Sequence, residues 1–273
     1  MRPDRFEIGI EREYALYVER DGAIANVLAN DRLLAAYSLD EDLRDAGWRL
    51  APEYSKCLVE LASPPHLREE WDALLEGFAR VEAGLARAAA SIGIECTAAY
   101  SFRTDRFVTW DGEVVTRYAD LLLDPSNSND LLGGDERPPC LAGCAAELAY
   151  AGFTSTNATL HAARELDVWA LLRVARAIEI ASPQRHPLLR DGRDPIAPDP
   201  DLSIRDALIR WADPRTAALL DAPAGDDARF RELCASRAYS CRPRIVDGVT
   251  LYELRCFHSG LPLAKLAPLL EVG

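Results

Sequence analysis

From Phe6 to Glu19 apolar and charged residues alternate: Glu7, Gly9, Glu11 and Glu13 share one phase, and Ile8, Ile10 and Tyr14 the other, with Arg12 among the latter. Period-two alternation predicts a strand, and side chains two apart leave the same face. Two further carboxylates sit in similar surroundings. Glu60 interrupts the apolar run Cys57-Leu58-Val59-Glu60-Leu61-Ala62, with Glu53 seven residues earlier. Glu253 lies mid-strand in Val249–Phe257, with Arg255 on the same phase. Glutamate is depleted in strands, and a buried carboxylate is costly unless it is paired or metal-bound. If these strands share a sheet, four or five carboxylates and one guanidinium converge on one concave face, and like charges held that close call for divalent cations. Taken singly, each glutamate also fits the solvated side of a half-covered antiparallel sheet, and Glu253 with Arg255 fits an exposed ion pair of little energetic weight.

The remaining pattern mixes strands and helices without regular βαβ alternation. Asp21-Gly22 predicts a turn, 31–46 a helix and 48–62 one or two strands, and Ser63-Pro64-Pro65 opens a helix that runs from Leu67 to about residue 91. Residues 94–101 and 106–116 read as strands, the latter with a turn at Asp111-Gly112; 153–161 reads as a strand feeding a helix over 163–181. A further helix is predicted over 203–220 and a hairpin over 242–257 with its turn at Asp247-Gly248. Residues 124–146 and 182–202 are Pro-, Gly-, Asn- and Asp-rich loops, the first with the length of a functional lid. The expected fold is α+β: a curved, mostly antiparallel sheet with helices packed on one face, formed by residues 1–273 as a single domain.

Charge and cysteine usage exclude several classes. The chain has 273 residues, with 31 basic and 44 acidic side chains and a net charge of −13, a field that repels nucleic acid. A hydrophobic share of 49% and a charged share of 27% fit a folded domain rather than an acidic tail. No run of about 18 apolar residues predicts a membrane span, and the N-terminal residues lack an apolar signal core, so a cytoplasmic location is expected. Seven cysteines at irregular spacing read as reduced thiols. Cys140 and Cys144 form at most half a zinc site, because no second pair at ligand spacing follows. His161 and His258 read as surface or supporting histidines, and Arg190, Arg193 and Arg205 as either anion-binding or solvated loop charge.

In order, Gly9-Ile10-Glu11-Arg12-Glu13, Glu53…Glu60, Thr154–His161 with the helix after it, Ser182-Pro183…Gly192-Arg193 and Glu253-Leu254-Arg255 resemble the motifs of the glutamate–cysteine ligase and carboxylate–amine ligase families of the glutamine synthetase-like superfamily. The resemblance covers most of residues 6–258. It implies a curved antiparallel sheet holding ATP and two or three Mg²⁺ ions, and a reaction in which the γ-phosphate passes to a substrate carboxylate before an amine displaces phosphate to form an amide. By that resemblance Glu11, Glu13, Glu53, Glu60 and Glu253 would be metal ligands. Lys56, Asn157 and Arg255 would contact the nucleotide, and Glu60 and Arg255 would be the catalytic residues.

Amino acids are the implied substrates. The sequence departs from the pattern on the central strand, whose site phase reads Ser155, Asn157, Thr159, His161 where the family has His, or Gln followed by Asn. Only eighteen residues follow Arg255, so the substrate-closing part is expected to be reduced, or supplied by a second copy or a partner subunit. The competing readings are a non-catalytic relative serving as a binding or regulatory subunit, and a metal-dependent hydrolase using the same acids.

Overall fold

The computed structural model describes residues 6–20, 22–98, 106–123, 155–162, 165–167, 170–171, 174–175, 177–178, 241–246, 249–258 and 260–272. The long loops over 124–146 and 182–202, the helix over 203–220, Cys140 and Cys144, and Arg190, Arg193 and Arg205 lie outside the described residues.

The alternating segment forms β1 (Phe6–Arg20), a strand of fifteen residues. It is followed by β2 (Ala23–Leu28), α1 (Asn30–Ala36), α2 (Glu41–Asp45), β3 (Arg49–Pro52), β4 (Leu58–Ala62), β5 (His66–Leu67), α3 (Trp71–Ser91), β6 (Glu95–Thr97), β7 (Phe107–Thr109), β8 (Val114–Val115), β9 (Ser155–Ala162), β10 (Cys241–Val246) and β11 (Val249–His258). The segment predicted as one helix over 31–46 is two short helices, because residues 37–40 leave helical geometry between them. Helix α3 starts at Trp71 rather than Leu67: His66 and Leu67 first pair with β1, and Arg68–Glu70 form a single 3-10 turn. Strand β2, which the sequence does not announce, follows Gly22, whose φ of 74° is the left-handed conformation a tight strand reversal asks of glycine.

Among the described residues eleven strands join one curled, mixed sheet in the order β10-β11-β9-β1-β2-β7-β8, with β4, β5 and β6 also on β1 and β3 beyond β4. The pairings are antiparallel except for β2 with β7. Strand β1 is the hub. Glu11 is in register with both Ala62 of β4 and Asn157 of β9, and Ala15 with both Leu58 of β4 and Thr97 of β6, so different strands occupy its two edges.

Alternation along β1 then decides what each face of the sheet is. The phase of Ile8, Ile10, Tyr14 and Leu16 joins Val59, Leu61, Ala158, Leu160, Tyr252 and Leu254 in the main core. Helix α3 covers that face with Leu74, Phe78, Val81 and Leu85; the helical residues Leu171, Ala175 and Ile178 and the C-terminal 3-10 segment Leu263–Glu271 add to it. Each fully buried Leu or Phe contributes about 2 kcal/mol by leaving water. The opposite phase is apolar only at one end. There Ala15 and Tyr17 pack with Cys57, Leu58, Phe107, Val115 and Leu121 in a second, smaller cluster. Among the described residues no helix is long and apolar enough to cross a membrane.

Two features of the core lead to measurable outcomes. Gly77 of α3 faces Trp48, which is held edge-on against Phe78 with ring centroids 5.0 Å apart; a Cβ at Gly77 would lie 2.3 Å from Trp48 Cζ2. Gly77→Ala is expected to cost about 2 kcal/mol in urea unfolding despite alanine's better helix propensity, because the ring has to move. Burial also pushes the Cys57 and Cys96 thiols up to about 12 and raises the Tyr14 and Tyr17 hydroxyls, with the Glu82 and Glu95 carboxylates adding to the effect at the tyrosines. The folded state holds these protons more tightly than an unfolded chain, whose thiols and phenols titrate near 9.0 and 10.0. Their contribution is complete below pH 9 and is lost as the pH rises above it. The urea midpoint is expected to fall between pH 8.5 and pH 10.5, beginning at about the thiol value; an unchanged midpoint contradicts this.

Candidate functional site

The rest of the second face carries the polar residues. Along β1 it presents Glu7, Gly9, Glu11 and Glu13. Opposite them on β9 stand His161, Thr159 and Asn157, in register with Glu7, Gly9 and Glu11. On the other edge of β1, β4 brings Glu60 directly opposite Glu13. One strand further, Ala51 of β3 pairs with Glu60, and two residues on, Glu53 follows the end of β3 with its amide donating to the Leu58 carbonyl at 3.3 Å. Because residues two apart share a face, Glu53 falls on the same side as Glu60 and Glu13.

The result is a compact carboxylate group. One oxygen each from Glu13, Glu53 and Glu60 lie within 4.8 Å of one another, all three side chains half-buried. Oxygens bound to one Mg²⁺ at 2.0–2.1 Å stand at most about 4.2 Å apart, so a small rotamer change brings this set to ligand distance. Three hard oxygen donors suit Mg²⁺ or Ca²⁺ and not a thiolate-seeking metal. Sequence proximity puts none of these three together. Glu13 and Glu60 meet through strand register, and Glu53 joins them only through the turn of residues 53–57.

That turn is held from several directions. The Asn30 side-chain amide at the start of α1 donates to the Ser55 and Leu58 carbonyls, both at 3.3 Å, and the Ala29 and Asn30 amides donate to the Lys56 carbonyl. From the other side the Lys56 amide donates to the Leu121 carbonyl at 2.6 Å, and the Leu123 amide to that of Tyr54. Beneath it Ser55 Oγ and Cys57 Sγ are 3.1 Å apart in full burial. Asn30 is the residue that sequence reasoning missed. An asparagine opening a helix reads as a cap, and nothing local says that its amide will serve a turn 25 residues later.

The remaining expected residues are distributed as follows. Glu11 lies half-buried beside the group, one alternate position along β1 from Glu13. Asn157 is in register with Glu11 and only 6% exposed. Glu253 is 8% exposed and stands on the same face two strands from β1, in register with Thr159 and thus at the level of Gly9. That level is four residues, or roughly 13 Å, along the strand direction from Glu13. Glu253 therefore shares the face with the three-carboxylate group and stands apart from it.

Lys56 sits half-buried in the turn that carries Glu53. Arg255 lies where β11 shifts register against β9: Leu254 pairs with Ala158 and Phe257 with Thr156, three residues against two. Such a bulge breaks the alternation from which Arg255 was placed on the phase of Glu253. The side chains of Arg255 and His258 lie outside the described residues. The His161 ring leans toward Gly9, its Nε2 lying 3.9 Å from where a Gly9 Cβ would be. Together the face offers carboxylates for a cation at one end and a row of buried amide, hydroxyl and carboxylate groups leading away from it.

Three carboxylates this close repel one another. Glu60→Gln is expected to stabilise the protein in EDTA, on the order of 1 kcal/mol, and to remove any rise in melting temperature on adding Mg²⁺. Thermal unfolding with and without Mg²⁺ checks both, and a variant that keeps the Mg²⁺ response counts against the site. No protein-family profile matches this chain, and no curated protein matches it.

Proposed function

We propose that the chain is an ATP- and Mg²⁺-dependent carboxylate–amine ligase, similar to glutamate–cysteine ligase, with a glutamine synthetase-like sheet and amino-acid substrates. The observation that carries this reading is the meeting of Glu13, Glu53 and Glu60 on one face of a largely antiparallel sheet whose other face is covered by helices. The ordered motif resemblance independently names the same three residues among its metal ligands. Glu11 and Glu253 complete the proposed ligand set on the same face.

Phosphoryl transfer asks for positioning and charge neutralisation rather than for covalent chemistry by the protein. Bound Mg²⁺ would supply the positive charge that lets a triphosphate approach so acidic a face. The chain's own residues then orient the reactants. Glu60, paired across the strands with Glu13, fixes the end at which the γ-phosphate is presented. Asn157 and Lys56 are the proposed polar and cationic contacts to the nucleotide, and Arg255 is the proposed donor to the transferring phosphoryl oxygens. The substrate carboxylate attacks the γ-phosphorus to give an acyl phosphate and ADP. The neutral amine then attacks the acyl carbon, the acyl C–O bond to phosphate breaks, phosphate leaves with the proton lost by the nitrogen, and an amide remains.

Incubation of the full chain with ATP, Mg²⁺ and a pool of amino acids tests this. Amine-dependent ADP release, lowered by at least about a hundredfold in Glu60→Gln and Glu13→Gln, is the expected result. ATP binding without turnover points instead to a non-catalytic relative, and substrate cleavage without ATP to a metal-dependent hydrolase.

A further inference from the structure

Arg12 interrupts the apolar phase of β1. It lies between Ile10 and Tyr14 on the helix-covered face and is 5% exposed. A guanidinium there carries a steep desolvation cost unless its donors are met, and they are met by three separate elements. Nη1 donates to Glu82 Oε1 of α3 at 2.9 Å, Nε donates to Thr156 Oγ1 of β9 at 3.2 Å, and Nη2 donates to the Leu261 carbonyl, just beyond β11. The Tyr14 hydroxyl donates to the same Glu82 oxygen at 3.1 Å.

Two arms of this fork reach chain that bears part of the opposite face, and the third, to Glu82, ties β1 to α3. Arg12 is itself flanked by Glu11 and Glu13. It is in register with Thr156, the neighbour of Asn157. Leu261 follows the strand of Glu253 and Arg255, past the bulge at which backbone pairing between β11 and β9 changes register. A slip of β9 by one residue would turn Asn157 and Thr159 into the core. Hydrophobic packing on the covered face already opposes that slip, since the fully buried Ala158 and Leu160 would be exchanged for small polar residues. A planar guanidinium with fixed donor directions resists it specifically.

We infer that Arg12 is a positioning residue: from behind the sheet it fixes β1, β9 and the chain leaving β11 in the one register that aligns Glu11, Glu13, Asn157 and Glu253 on the opposite face. The inference rests on the reading of that face as the functional site. Its structural content, selective pinning of β9 and β11 against β1, is measurable without any ligand.

The test compares the full-length chain with Arg12→Met and Arg12→Lys, using Mn²⁺ binding as the probe of the site and amide hydrogen exchange in EDTA as the probe of register. Arg12→Met fills similar volume without donors. It is expected to stay folded, to bind Mn²⁺ about tenfold more weakly, and to exchange amides at 156–160 and 251–254 faster while those of α3 at 78–89 stay as in the parent. Arg12→Lys keeps the charge and loses the fork, and is expected to restore neither property fully. Parental Mn²⁺ affinity in Arg12→Met, or acceleration spread evenly over α3 and the sheet, overturns the inference in favour of a plain stabilising role. If the parent chain itself binds no Mn²⁺, the metal reading fails, and the exchange pattern alone decides for or against Arg12. Should Arg12→Met fail to fold, Thr156→Val removes the β9 arm alone and is judged by the same two readouts.

Discussion

Everything described in this molecule depends on the double-sided pairing of β1. A strand with a partner on one edge can tilt, fray or slip. One in register with β9 and β6 along one edge and with β5, β4 and β2 along the other has almost every backbone group committed. Its fifteen residues then act as a ruler. Residues on even positions are drawn into the core by α3 and the helix after β9, and residues on odd positions are presented to the other side whatever their chemistry. That is how glutamates come to stand in the middle of a sheet: the stabilisation from Ile8, Ile10, Tyr14 and Leu16 on one face carries the cost of Glu7, Glu11 and Glu13 on the other.

The odd face is itself divided. At Ala15 and Tyr17 it becomes apolar, and the strands β7 and β8 with the turn before Leu122 fold back against it. The carboxylate group lies next to this closed end, so its floor is rigid: the 53–57 turn is clamped between Asn30 on one side and the Leu121–Leu123 backbone on the other. A cation-binding group gains from such support, because ligands held in place need not be ordered again when the ion arrives. The other end of the face, toward Gly9, Thr159 and Glu253, is lined by side chains that are buried and polar. The two ends thus differ in kind, one a cluster of like charges and the other a mixed polar floor.

Much of this was legible in the residues. The alternation in 6–19, the heptad-like spacing of Leu74, Phe78, Val81 and Leu85, and the run Leu58–Ala62 each predict their element, because local periodicity and burial on one side express the same physics. The pairing of Glu13 with Glu60 was legible only as a possibility conditional on the strands sharing a sheet. The break of the 31–46 helix, the presence of β2 and the bulge at Arg255 were not legible. Each is decided by a partner distant in sequence: Tyr37 packing under Gly84, β2 finding both β1 and β7, and β9 holding its register while β11 carries an extra residue.

The sequence by itself determined which side chains share a phase, and so that Glu11 and Glu13 leave one face while their apolar neighbours leave the other. It also determined the chain's net charge of −13. Only the tertiary structure decided that Glu53 joins Glu13 and Glu60, that Glu253 shares their face at a distance, and that Arg12 sits behind them tied to three elements. The reason is that phase is a property of one strand, whereas proximity between strands is set by register, and register is fixed by turns, bulges and buried polar contacts whose partners lie tens to hundreds of residues away.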